Sequence, residues 1–216
     1  MHLDDPTERD EPEQAAETDE SSKPSEPDEP SDSIDWEQAQ EATRLLLDAV
    51  GEDPERDGLV DTWRRRVPAA YAELTAGARE AEKPTMRTFE AADEDLVVKT
   101  GIPFYSLCEH HLLPFHGEAH VAYRPDGEVV GLSKVIRYVR WRSRRLTIQE
   151  QLTRDVAEGL AEEIGADAVA VELSATHLCE AMRGVETETT TTSRATVGEL
   201  RDGEERRFRD AIHRDA

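Results

Sequence analysis

The sequence is short of several things, and each shortage removes a class of protein. Only two of its 216 residues are cysteine, too few for a disulfide framework, so a small secreted scaffold is excluded. No apolar run approaches the ~18 residues of a membrane span. The first residues, Met1-His2-Leu3-Asp4-Asp5, have neither the basic nor the apolar region of a signal peptide. Bases are outnumbered, 26 Lys+Arg against 49 Asp+Glu, which argues against general nucleic-acid binding. The expectation is a cytoplasmic protein with no membrane and no nucleic-acid partner. Lysine is scarcer still: Lys23, Lys83, Lys99 and Lys134 stand against 22 arginines. An acidic excess with few lysines suits a protein of concentrated salt, where screening removes most self-repulsion, and it equally suits an acidic protein with an acidic tail. Full activity in dilute buffer, with no gain from molar KCl, decides for the second.

Residues 1–33 hold 13 acids, two bases (Arg9 and Lys23), five prolines and no Val, Ile, Phe, Tyr or Trp. Such a stretch cannot bury enough apolar surface to offset the entropy of ordering it, and a disordered acidic leader is expected there. The remainder is long enough for one globular domain. Ala42, Leu45, Leu46, Ala49 and Val50 recur at helical spacing, so the reading is an amphipathic helix over 35–50, stopped by Gly51. Thr62 opens a second helix whose apolar face is Trp63, Val67, Ala70, Tyr71 and Leu74, with Pro68 inside it. Residues 75–94 read as loop. Strands are expected at Leu96–Lys99 and Ile102–Tyr105, and a hairpin at His120–Arg124 and Glu128–Gly131 about Pro125-Asp126-Gly127. Ser133 is placed to cap a short helix to about Val139. Thr147 and Glu150 form a capping box for a longer one carrying Leu152, Val156, Leu160 and Ile164 on one face. Strands follow at Ala168–Ala175 and Val185–Val197, then a charged helix or tail over 201–216. The whole reads as an α+β domain with a largely antiparallel sheet.

Both cysteines sit beside histidines. Cys108-Glu109-His110-His111 has the spacing by which one turn offers a thiolate and an imidazole to one ion, and His177-Leu178-Cys179 closes a strand. Cys108, His111 and Cys179 make a two-thiolate, one-imidazole set for a tetrahedral ion, with one position left for water. Binding there lowers the pKa of that water to ~7. His110 and His177, adjacent to ligands yet not needed as such, are then placed to move protons. The plainer reading is two thiols that happen to neighbour histidines. Lys134, Arg137, Arg140, Arg142, Arg144 and Arg145 put six bases and no acid into one short stretch behind Ser133. That is either a polyphosphate site at a helix N-terminus or a solvated face paired with acids. Gln149-Glu150 can read the edge of a guanine, or Glu150 can simply complete its cap.

Taken together, these residues carry a resemblance. Ser106-Leu107-Cys108-Glu109-His110-His111-Leu112-Leu113-Pro114-Phe115 resembles the metal motif of GTP cyclohydrolase I. The similarity continues through Gly131-Leu132-Ser133-Lys134, Arg144-Arg145, Gln149-Glu150-Gln151-Leu152-Thr153, His177-Leu178-Cys179 and Arg183-Gly184-Val185. Upstream, Gly51-Glu52-Asp53-Pro54-Glu55-Arg56-Asp57-Gly58-Leu59 matches the turn between that family's leading helices. The resemblance spans residues 35–200. It implies a catalytic domain over 34–200, with a helical part at 34–82 and a tunnelling-fold core at 95–200, helices packed on one face of its sheet. It implies one Zn2+ per subunit on Cys108, His111 and Cys179, catalytic roles for His110, His177 and Ser133, and GTP contacts from Leu132, Lys134, Arg137, Gln149, Glu150 and Arg183. The implied reaction opens the imidazole ring of GTP with water, releases formate and gives 7,8-dihydroneopterin triphosphate, at the start of pterin and tetrahydrofolate-type or deazaguanine synthesis. The implied assembly is a homodecamer of two pentameric rings with active sites between subunits. Four positions depart from the family pattern: Trp63, the run Lys99-Thr100-Gly101, Thr147, and Glu180 beside Cys179.

Overall fold

The computed structural model describes residues 34–91 and 95–215; the leader expected at 1–33 lies outside them. Asp35 starts the first helix, its carboxylate accepting from the Gln38 backbone N–H at 2.9 Å, and α1 runs Trp36–Ala49. The apolar stripe forms as expected but faces outward: Leu45, Leu46 and the capping Val50 are 52%, 64% and 68% exposed. The second helix opens as a π-helical turn, Thr62–Arg66, with no side-chain cap from Thr62, and continues as α2, Val67–Leu74. Pro68 accounts for the wide turn. It has no N–H to give the Arg64 carbonyl, and Gln40 of α1 donates to that oxygen instead, at 2.8 Å. Trp63, one of the departures, donates its indole N–H to the Pro54 carbonyl at 3.0 Å and ties down the turn between the two helices. The segment expected as loop holds two 3-10 turns, at 76–78 and 80–82, and a short strand β1, Thr88–Glu90.

The main sheet consists of β2 (Val97–Cys108), β3 (Pro114–Arg124), β5 (Leu146–Thr147), β6 (Ala168–His177) and β7 (Thr191–Gly198), in the order β5-β2-β3-β6-β7. All its pairings are antiparallel except that of β5 with the end of β2. The two strands expected before Tyr105 are one strand with a bulge between Lys99 and Ile102. Gly101 takes φ +64 there, and its N–H donates to His120 Nδ1 at 3.2 Å. The hairpin expected across Gly127 does not form. β3 already has β2 on one edge and β6 on the other, so β4 (Glu128–Val130) pairs with β1 in a separate two-stranded sheet.

One helix connects β4 to β5 and a second connects β5 to β6. α3 runs Leu132–Ser143, one turn longer than expected, with Gly131 rather than Ser133 at its N-cap. α4 runs Gln149–Ile164 from Ile148, without the Thr147–Glu150 box: Thr147 is a buried strand residue, and its hydroxyl donates to the Ile148 carbonyl at 3.2 Å. The last strand starts at Thr191, not Val185. Leu152, Val156 and Leu160 of α4 pack with Val169, Val171 and Leu173 of β6, and Val135, Tyr138 and Val139 of α3 join the same core from the side of β2 and α4. The other sheet face is covered as well, which corrects the expectation of helices on one face only. The charged C-terminal stretch is helical, α6 (Glu204–Asp215), and its Phe208 and Ile212 bury Leu96, Ala122 and Ala170. Buried Arg124 fastens it, reaching Glu204 at 2.9 Å, Asp167 at 3.4 Å and the Glu199 carbonyl at 3.1 Å. Phe208→Ala should therefore cost ~3–5 kcal/mol in denaturant unfolding. A loss below about 1 kcal/mol would show that α6 contributes nothing to the folded state. Among the described residues no helix is long and apolar enough to cross a membrane.

Candidate metal centre

The centre lies where β2 turns into β3. The chain folds back sharply after Cys108: its N–H donates to the Leu113 carbonyl at 2.8 Å, and its carbonyl accepts from His111 and Leu112 at 3.3 and 2.8 Å. Leu112 takes φ +56, a left-handed conformation costly for a leucine. The Tyr71 hydroxyl of α2 donates to the Leu112 carbonyl at 3.1 Å and helps to hold that turn. The fold-back returns His111 to Cys108, with Sγ and Nδ1 3.6 Å apart. Cys179 arrives from the other side. The register pairs Phe115 of β3 with His177 at the end of β6, and the short helix α5, Leu178–Ala181, follows at once.

The ligand atoms of Cys108, His111 and Cys179 all lie within 4.8 Å of one another. Burial, followed by the neighbouring Cys108 thiol, pushes the Cys179 thiol above its ordinary pKa. Two thiolates cannot share that space without a cation, so ionising both is tied to binding one. The donor set, two sulfurs and an imidazole, suits zinc and leaves one coordination position open. His111 is exposed while Cys108 is buried.

Around this cluster the expected residues divide. His177 stacks on Phe115, with ring centroids 4.7 Å apart and planes 7° from parallel. Phe115 in turn meets Phe104 edge-on at 6.1 Å. His177 Nε2 lies 2.8 Å from Gln149 Oε1. Burial lowers the His177 pKa against the pull of Glu180 and Glu150. His110 is exposed, edge-on to His111 at 6.3 Å. Glu150 is exposed, but Gln149 beside it is buried with its amide engaged inside the chain. Glu180, the departure closest to the cluster, accepts from the Thr189 hydroxyl at 3.3 Å.

Leu132, Ser133, Lys134 and Arg137 stand on α3, a separate element from the ligand turn, and Arg183 follows α5. The basic run splits between its two readings. Arg142 pairs with Asp155 at 3.2 Å, Arg145 with the same carboxylate at 3.6 Å, and Arg144 with Glu73 at 3.2 Å. Among the described residues no ion pair engages Lys134, Arg137 or Arg183. Sequence reasoning missed Phe115 and Tyr71. Phe115 belongs to the quoted motif, yet nothing local marks it as the platform for a histidine 62 positions later, a proximity set by the pairing of β3 with β6.

The family model of GTP cyclohydrolase I matches residues 39–213. A protein of Hyperthermus butylicus called GTP cyclohydrolase 1 is 50% identical over 167 residues, covering 77% of this chain and 84% of that one. Proteins of the same name from Geobacillus kaustophilus and Campylobacter lari are 48% and 46% identical, covering 70% and 73% of this chain and 81% and 83% of theirs.

Proposed function

Because the chain belongs to the GTP cyclohydrolase I family, we propose that it opens the imidazole ring of GTP with water, releases the ring carbon as formate, and yields 7,8-dihydroneopterin triphosphate for pterin synthesis. The observation that carries this is the convergence of Cys108, His111 and Cys179, with His177 two residues before Cys179 and held by Phe115 and Gln149. Those three side chains would hold a zinc ion, which would supply Lewis acidity toward water. The chain's own residues do the rest. His177 and His110 move protons between water, ring nitrogens and leaving groups. Lys134, Arg137 and Arg183, with Ser133 and Leu132 beside them, hold the triphosphate and ribose so that the reacting carbon faces the ligand turn. The exposed Glu150 pairs with the guanine edge.

The tunnelling fold and its homodecamer belong to the same proposal. The succession of two long strands, two helices and two more strands supports the fold. An outward apolar stripe on α1 and an open edge at β7 support further subunits, which bring basic groups to sites that one chain leaves incomplete. Thiol ligands that must stay reduced support a cytoplasmic location.

Incubation with GTP, with and without chelator, tests the reading: neopterin fluorescence and formate must appear together and vanish when metal is withdrawn. Lys134→Ala should raise KM for GTP ~10-fold while kcat stays within about threefold, because one charge-assisted contact to phosphate is lost. A fall in kcat with KM unmoved would place Lys134 elsewhere.

A further inference from the structure

We propose that Gln149 is a positioning residue: it fixes His177 as the tautomer with its proton on Nε2, leaving Nδ1 as the nitrogen that gives and takes the reaction's proton. This rests on the reading of His177 as a proton-transfer group and adds which atom acts and what aims it.

The amide decides the matter because its own orientation is forced. Gln149 is 1% exposed at the start of α4, and its NH2 donates to the Leu173 carbonyl of β6 at 3.0 Å and the Thr191 carbonyl of β7 at 2.9 Å. Backbone carbonyls only accept, so the nitrogen must face them and the oxygen must face His177. An amide oxygen likewise only accepts. Across the 2.8 Å contact, the proton therefore sits on Nε2. The stack on Phe115 fixes the plane of the ring. What freedom remains is a half-turn about Cβ–Cγ, which would set a carbon against the amide oxygen and forfeit the hydrogen bond. Stacking and amide together select one plane, one flip and one tautomer.

The same contacts remove Gln149 from substrate recognition. Every polar atom of its amide is engaged within the chain, and neighbouring helix positions point ~100° apart. Gln149 thus turns inward while Glu150 turns outward, and the guanine edge is left to Glu150.

The zinc-loaded protein, labelled with 15N-histidine, is examined by solid-state NMR, and His177 is assigned by its absence from the His177→Ala spectrum. The wild-type spectrum should show a protonated Nε2 and a bare Nδ1. Gln149→Leu should retain zinc, show both tautomers at His177, and lose kcat ~10–100-fold with KM for GTP within about twofold. Three results would overturn the proposal: a wild-type His177 protonated on Nδ1 alone, a folded zinc-loaded Gln149→Leu with unchanged kcat, or a variant in which only KM rises. If Gln149→Leu does not fold, the wild-type spectrum decides by itself. Near-normal turnover in His177→Ala would instead refute the role of the histidine, and the tautomer result is read independently of that.

Discussion

Cys179→Ser is expected to empty the metal centre and lower turnover of GTP by about 10³-fold or more, with the fold intact. Serine keeps the size of the side chain and removes what binds. A hydroxyl does not ionise near neutral pH, and neutral oxygen is a poor partner for an ion selected by sulfur and nitrogen. The two ligands left, Cys108 and His111, come from one short turn, and two donors are too few for a stable site. Cys179 is only half-buried on a four-residue helix, and little packing is lost. Zinc content per chain, circular dichroism and neopterin fluorescence give the three readings. A variant that holds a full complement of zinc and turns over normally would refute the ligand set.

The second large effect is expected at His177. His177→Ala should lower kcat by ~10²–10⁴-fold while zinc content stays at the wild-type level. The distinction from Cys179 is geometric. Three ligands are already present without His177, and its Nε2 is turned toward Gln149 rather than toward the cluster. Burial lowers the imidazole's pKa and so favours the form that accepts a proton, and alanine offers no group to replace it. Turnover near the wild-type level would mean that His110 or solvent carries the protons. Loss of zinc in the variant would mean that His177 belongs to the ligand shell after all.

How much of this was legible in the sequence depends on how far apart the interacting residues lie. The convergence of Cys108 and His111 could be read because a single turn connects them, and the core faces of α4 and β6 could be read because periodicity is local. The hairpin across Gly127 failed for a reason no local rule contains: both edges of β3 are taken by strands on either side. The Thr147–Glu150 box failed similarly, since pairing with Cys108 draws Thr147 into β5 and leaves Ile148 at the helix start. Phe208 and Ile212 are spaced to share one helical face, yet they sit in so dense a run of charge that only the apolar patch on the far side of the sheet reveals their use. The inward engagement of the Gln149 amide was not legible in the sequence. Its partners, on β6, on β7 and at the end of β6, are 24, 42 and 28 residues away.

Phe115 serves two masters. Its ring is wholly buried, one neighbour being Phe104 in the core and another the imidazole of His177. Any substitution that repacks the interior at this position reaches the reacting machinery in a single step. Lineages of this enzyme should therefore tune their durability elsewhere, on the outer helices and the tail, and leave the aromatic pair beneath the histidine alone.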